Sequence, residues 1–198
     1  MIELGDDNKM AIYIALLRGI NVGSKNRIKM VDLKHLFESM GFSRVETYIN
    51  SGNVIFESSE KEDTLQKKIE YELEKMFCLS IAVILRTAAE LKQIIFDCPF
   101  SEEEVKKAES ANEEGESLYV SLLTQYPLYE KIKYLNTIKS GKDEYRIKNR
   151  DIYLLFCHSI RNSKLANNLH KLEIPATVRN WKTMNKLYSL VKNRTENG

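Results

Sequence analysis

One order of elements, running through the chain twice, constrains the fold more than any other feature. Ala11 to Leu17 is apolar at every position, the pattern of a strand covered on both faces. Val31 to Met40 spaces Val31, Leu33, Leu36, Phe37 and Met40 along one helical face, and Gly41 stops that helix. Two short runs, Val45 to Ile49 and Val54 to Glu57, flank Asn50-Ser51-Gly52-Asn53, the composition of a hairpin turn. Asp63 to Phe77 is amphipathic through Leu65, Ile69, Leu73, Met76 and Phe77, and Ile81 to Leu85 closes the set as a strand. The order is β-α-β-β-α-β, followed by a helix from Thr87 to Phe96.

The same order returns after residue 116. Leu118 to Leu123 reads as a strand and Pro127 to Leu135 as a helix. Glu144 to Ile147 and Ile152 to Cys157 form a hairpin around Lys148-Asn149-Arg150-Asp151. Lys164 to Leu172 is helical, Ala176 to Val178 is a short closing strand, and Met184 to Lys192 is a last helix for which Thr183 is a natural N-cap. The fold class that follows is α+β, with two tandem ferredoxin-like (alpha-beta plait, βαββαβ) subdomains and extra helices. The expected organisation is a disordered or tag-like extension over 1–9, a subdomain over 10–98, an acidic linker or exposed helix over 99–116, and a second subdomain with the C-terminal helix over 117–198. A plait leaves one sheet face open, yet two of the strands are apolar in both alternation phases. The two halves are therefore expected to cover one another, with a ligand cleft at the seam.

Composition excludes several classes. With 43% hydrophobic and 29% charged residues in 198, the chain is an ordinary globular protein that needs neither disulfides nor metal to fold. Its apolar run from Ala11 to Leu17 is far below the roughly 20 residues of a membrane helix. Glu3, Asp6 and Asp7 ahead of that run do not suit a signal peptide, so a cytoplasmic setting and no membrane partner are expected. Cys78, Cys98 and Cys157 are widely spaced, which argues for reduced thiols in the core rather than a disulfide framework or a metal site. Charge is uneven along the chain. Lys131 to Gly198 holds ten lysines and five arginines against five acids, whereas Phe100 to Glu116 holds seven glutamates against two lysines.

Several segments could carry chemistry. Arg18 to Lys29 holds Gly19, Asn21, Gly23 and Lys25, with four basic residues and no acid before the helix at Val31. A strand, a glycine loop and a helix start together can hold an anion. The spacing matches neither a P-loop nor Gly-x-Gly-x-x-Gly, and the glycines alone could serve a long turn. Asn50, Ser51 and Asn53 either satisfy their own turn or offer ligand contacts. Lys164 follows Arg161-Asn162-Ser163 ahead of one helix, and Arg179, Asn180 and Trp181 precede another, placing basic groups beside helix starts. The structural alternative there is Trp181 as a packing anchor with Arg179 stacked or paired. His35, His158 and His170 lack metal spacing, and Cys157 and His158 as strand neighbours point apart. Tyr13 and Phe56 occupy positions at which RNA-binding plaits stack bases, although the matching signature is absent.

Ala15-Leu16-Leu17-Arg18-Gly19-Ile20-Asn21-Val22-Gly23, Thr47-Tyr48-Ile49-Asn50-Ser51-Gly52-Asn53-Val54, Ser163-Lys164-Leu165 and Thr177-Val178-Arg179-Asn180-Trp181-Lys182-Thr183 together resemble the signature segments of a bacterial domain-of-unknown-function family, number 1697. The resemblance covers Met10 to about Val191. It implies two tandem ferredoxin-like subdomains and brings no activity, substrate or cofactor. In the family, the segment before Ser163 usually bears glycine, whereas this chain reads His158-Ser159-Ile160-Arg161-Asn162.

The resulting functional expectation is a basic cleft that binds an anionic ligand, a nucleotide or nucleic-acid phosphate, without cofactor or metal. Its expected ligand residues are Arg18, Asn21, Lys25, Asn50, Ser51, Asn53, Lys164, Arg179, Asn180 and Trp181. A small-molecule enzyme using the polar residues of that cleft, or a protein-interaction module, are the alternatives. Sequence leaves the oligomeric state open.

Overall fold

A computed structural model describes residues 10–113, 115–138 and 140–196, and the extension expected over 1–9 lies outside them. Contacts divide the chain into two units. The first runs to Lys92 and resumes at Leu187, and the second spans Gln93–Lys186. By contacts the acidic stretch over 99–116 falls inside the second unit.

In the first unit the order is β1 (Ala11–Leu17), α1 (Met30–Ser39), β2 (Ser43–Tyr48), β3 (Asn53–Ser58), α2 (Glu62–Phe77) and β4 (Val83–Thr87). The sheet order is β2-β3-β1-β4, with every neighbouring pair antiparallel. The register pairs Tyr13 with Phe56 and Ala15 with Val54, which puts Tyr13, Ala15, Leu17, Val54 and Phe56 on one face. Against that face α1 buries Leu33, Leu36 and Phe37, and α2 buries Leu65, Ile69 and Leu73. Phe56 is the aromatic centre, its ring 4.6 Å from Phe42, 5.3 Å from Phe37 and 5.8 Å from Tyr13. Tyr13 and Phe56 are thus core residues under the helices, not an open base-stacking platform. The opposite face, with Ile14, Leu16, Ile55 and Ile84, is fully buried as well, as an uninterrupted apolar strand requires.

Helices α3 (Ala88–Phe96) and α7 (Trp181–Glu196) each begin in one unit and end in the other. The second unit otherwise contains α4 (Glu102–Ala111), β5 (Leu118–Leu123), α5 (Tyr129–Asn136), β6 (Glu144–Lys148), β7 (Asp151–Leu155), α6 (Lys164–Asn168) and β8 (Ala176–Asn180). Its sheet order, β6-β7-β5-β8, repeats the first, again antiparallel throughout. The two first strands also end alike. Leu17 and Arg18 donate backbone N–H groups to the carbonyls of Gly52 (2.8 Å) and Ala82 (2.9 Å), while Leu123 and Thr124 donate to Arg150 (3.0 Å) and Pro175 (3.1 Å).

Three expectations need correction here. The helix expected over Lys164 to Leu172 is α6 followed by a separate 3-10 turn, Leu169–Leu172. The last helix starts at Trp181, so Thr183 lies in its first turn and the cap is Asn180, whose Oδ1 accepts the Thr183 N–H at 2.8 Å. The cysteines are free as expected, but none is a core residue. Cys78 is exposed in the left-handed C-cap of α2, with φ 54°, and Cys98 and Cys157 are half-buried.

The acidic stretch resolves as a capped helix. Ser101 Oγ accepts the Glu104 N–H, and the Glu104 carboxylate accepts the Ser101 N–H in return. Arg146 of β6 joins this cap, 2.5 Å from Glu104 and 4.1 Å above the Phe100 ring, and donates to the Pro99 carbonyl at 2.6 Å. Its hydrogen bond to the Glu104 carboxylate, assisted by those from Ser101, lowers the Glu104 pKa from 4.5 to about 2. A depressed folded-state pKa gives stability that is present above about pH 4.5 and lost as pH falls toward 2. Glu104→Gln should therefore lower the urea midpoint at neutral pH, and the gap from wild type should close at acid pH. A gap of equal size at both would show that the carboxylate's charge is not what holds the cap.

Candidate functional site

The first unit carries a polar groove where its first loop meets its hairpin turn. Four positive-φ residues shape the loop: Gly19 (65°), Asn21 (54°), Gly23 (60°) and Asn26 (49°). Asparagine tolerates this region better than other residues with a side chain. The chain doubles back through a bridge between Val22 and Lys25, with the Lys25 N–H on the Val22 carbonyl at 3.2 Å and Asn21 N–H on that of Asn26 at 3.0 Å.

The Asn21 side chain then works as a staple. Its Nδ2 donates to the carbonyls of Ile28 (2.9 Å) and Asn50 (2.8 Å), and its Oδ1 accepts the Ile28 N–H (2.9 Å). One amide thus joins both arms of the loop to the tip of the hairpin. Below it, Asn53 is fully buried, and its Nδ2 donates to the Tyr48 carbonyl and to Ser51 Oγ, each at 3.0 Å. The hairpin tip and the loop touch at Gly52, where a Cβ would stand 2.6 Å from Ile20 Cδ1.

Above this junction lies a cavity of about 620 Å³, lined by Asn21, Arg27, Lys29, Asp32, Asn50 and Phe77 among others. Helix α1 starts at its wall. Lys29 is the N-cap residue and offers no side-chain cap, so the first helical N–H groups lack that usual acceptor. Arg27 and Lys29 are exposed, and Asp32 in the first turn places one negative charge in the same groove.

Among the expected ligand residues, Asn21 and Asn50 line this cavity, while Ser51 and Asn53 build the turn below it. Arg18 and Lys25 are exposed on the loop and are not among its lining residues. In the second unit, Lys164 is exposed at the first position of α6. Arg179, 7% exposed, donates to Thr177 Oγ1 at 2.7 Å and to the Val178 carbonyl at 3.0 Å, and burial lowers its pKa to about 10. The register places it opposite Val120 of β5, as Arg86 stands opposite Ile14 of β1, so each unit buries one arginine at the same point of its last strand. Asn180 is occupied as the cap of α7, and half-buried Trp181 packs against Tyr153 at 6.4 Å.

Arg27 and Lys29 line the cavity without being among the expected ligand residues. They are two of the four basic residues of the loop, but the glycines mark only its first half. Phe77 was legible only as part of the apolar face of α2. Among the described residues, no group of three or more His, Cys, Asp or Glu side chains could hold a metal ion, and no helix is long and apolar enough to cross a membrane.

Two units, each a four-stranded antiparallel sheet with helices following its first and third strands, make this an α+β protein with an internal repeat. The family model described as "Protein of unknown function (DUF1697)" matches residues 10–153, and the chain belongs to that family. A solved structure, that of the conserved bacterial protein SP0830 from Streptococcus pneumoniae, has a similar fold. Its TM-score is 0.71 at 22% identity, covering 92% of this chain and 99% of that one. No curated protein matches.

Proposed function

We propose that the chain binds a small anion, a phosphate or phosphorylated compound, in the groove of its first unit. The observation that carries this reading is the start of α1, which lacks a side-chain cap and opens onto a 620 Å³ cavity between Arg27 and Lys29. Free helical N–H groups, the positive end of the helix dipole and two cations favour the same ligand charge. Asp32 opposes it with one negative charge, which weakens the attraction without cancelling that of the two cations. The Asn21 staple fixes the cavity wall in advance, which reduces the ordering cost of binding. The strand order, with helices after the first and third strands, also supports reading each unit as a ferredoxin-like plait. Three free thiols fit a reducing cytoplasmic setting.

Titration of the full chain with inorganic phosphate, ADP and an oligothymidylate at low salt tests this reading. Backbone amide resonances of residues 30–32 should shift saturably with phosphate or ADP. Arg27→Gln with Lys29→Gln should weaken that binding by about tenfold or more, given about 1.5–3 kcal/mol for each charge-assisted hydrogen bond. A response to the oligonucleotide alone, with a steep salt dependence, would move the reading to nucleic acid. Unchanged amides with all three probes would end it.

A further inference from the structure

The groove of the first unit is larger and more mixed in chemistry than a phosphate needs. Its volume of about 620 Å³ falls in the range of sites that enclose a whole small molecule. Two polar side chains that line it play no part in holding phosphate. Neither the Asp32 carboxylate nor the Asn50 side-chain amide has a hydrogen bond or ion pair among the described residues.

Asp32 sits in the first turn of α1, where a carboxylate stabilises its own helix. It also stands in the wall of the cavity, where it counts against a bound phosphate. A carboxylate accepts hydrogen bonds and donates none. A ligand that carries hydroxyl donors beside its phosphate therefore turns that opposition into a contact. Asn50 is held by its backbone, with the Asn21 Nδ2 on its carbonyl at 2.8 Å, and its own amide presents a donor and an acceptor side by side. Phe77, the last residue of α2, packs on the core of the first unit, is left half-buried and lines the same cavity. An aromatic ring in the wall of a polar groove offers a stacking surface to a flat ring.

We propose that the groove takes a ribonucleoside 5′-phosphate, an assignment that rests on the groove being the anion site. The phosphate takes the first N–H groups of α1 with Arg27 and Lys29. The ribose hydroxyls donate to Asp32, and the base stacks on Phe77 with its polar edge toward Asn50. Adenine suits that edge, because an asparagine amide pairs with its N6 and N7. Every residue named lies in the first unit.

Titration of the full chain with AMP, 2′,3′-dideoxy-AMP, ribose 5-phosphate and inorganic phosphate, followed at the amides of residues 30–32, separates the parts of the ligand. AMP should bind about tenfold or more tightly than its dideoxy analogue, for the hydroxyl bonds lost to a charged acceptor. Asp32→Ala should erase that difference and strengthen binding of inorganic phosphate, because a like charge has gone. Phe77→Leu should weaken AMP by about fivefold or more, the worth of one stacked base, and leave ribose 5-phosphate unchanged, which also shows that the variant is folded. Phosphate binding with AMP no tighter than phosphate overturns the nucleotide assignment and leaves the anion site standing. Equal binding of AMP and its dideoxy analogue overturns the role of Asp32. No response to any of the four ends the anion site, and the nucleotide with it.

Discussion

Phe56→Ala is expected to destabilise the first unit by about 4 kcal/mol, the usual range for an aromatic-to-alanine change in a closed core. Phe56 is fully buried and packs on three other rings, those of Tyr13, Phe37 and Phe42, in a layer where sheet and both helices meet. Because those neighbours come from a strand, a helix and a loop already fixed by other contacts, the space left by the ring cannot close without moving an element. A loss of this size is a large fraction of the 5–15 kcal/mol that holds a typical domain. The measurement has to be local. Trp181, the only tryptophan, packs on Tyr153 in the second unit, so its fluorescence does not report on Phe56. Hydrogen exchange at the β1 and β3 amides does. Protection of those amides equal to wild type would mean that the aromatic layer is not the centre of stability assigned to it.

Gly52→Ala is the second large effect, about 3 kcal/mol, and it separates two causes. The glycine has φ +74°, which costs a residue with a Cβ roughly 1 kcal/mol or somewhat more. Its added methyl would also stand 2.6 Å from Ile20 Cδ1 and 2.8 Å from Leu17 Cβ, overpacking that costs a further ~1–3 kcal/mol. Gly41→Ala is the control. Its φ is +86°, but nothing lies within 4 Å of the added carbon, so only the backbone cost applies. Denaturant midpoints should fall further for position 52 than for position 41. Equal losses would show that Ile20 yields freely and that the loop is not packed on the hairpin. If the crowding is real, the same change should loosen the Asn21 staple and weaken phosphate binding as well.

The fold was legible because its information is periodic. Ala11 to Leu17 announces a doubly covered strand by composition alone, and Leu65, Ile69 and Leu73 repeat at helical spacing, so neither reading needs a partner residue to be known. Boundaries were harder to read. Asn180 and Thr183 are both good capping residues three positions apart, and only the observed backbone shows which of them accepts the hydrogen bond. The acidic stretch was ambiguous for a related reason. Ser101 and Glu104 have capping-box spacing, but what anchors the helix is Arg146, 42 positions away from Glu104.

Site residues were legible in part. Asn21 and Asn50 were singled out as polar loop residues, yet their relation, one side chain holding the backbone of the other, is a long-range fact with no local signature. Arg179 shows the opposite limit. A basic residue next to a helix start suggests an exposed cation, and strand alternation in a sheet buried on both faces turns it inward.

The interleaved path of the chain bears on how it is made. Residues from Leu187 onward belong with the first unit, and Arg194 fastens onto the Arg44 carbonyl and the Glu46 carboxylate of β2. On the ribosome, the half that emerges first is therefore completed only after the second has followed it: its edge strand waits unclasped until Arg194 has left the exit tunnel.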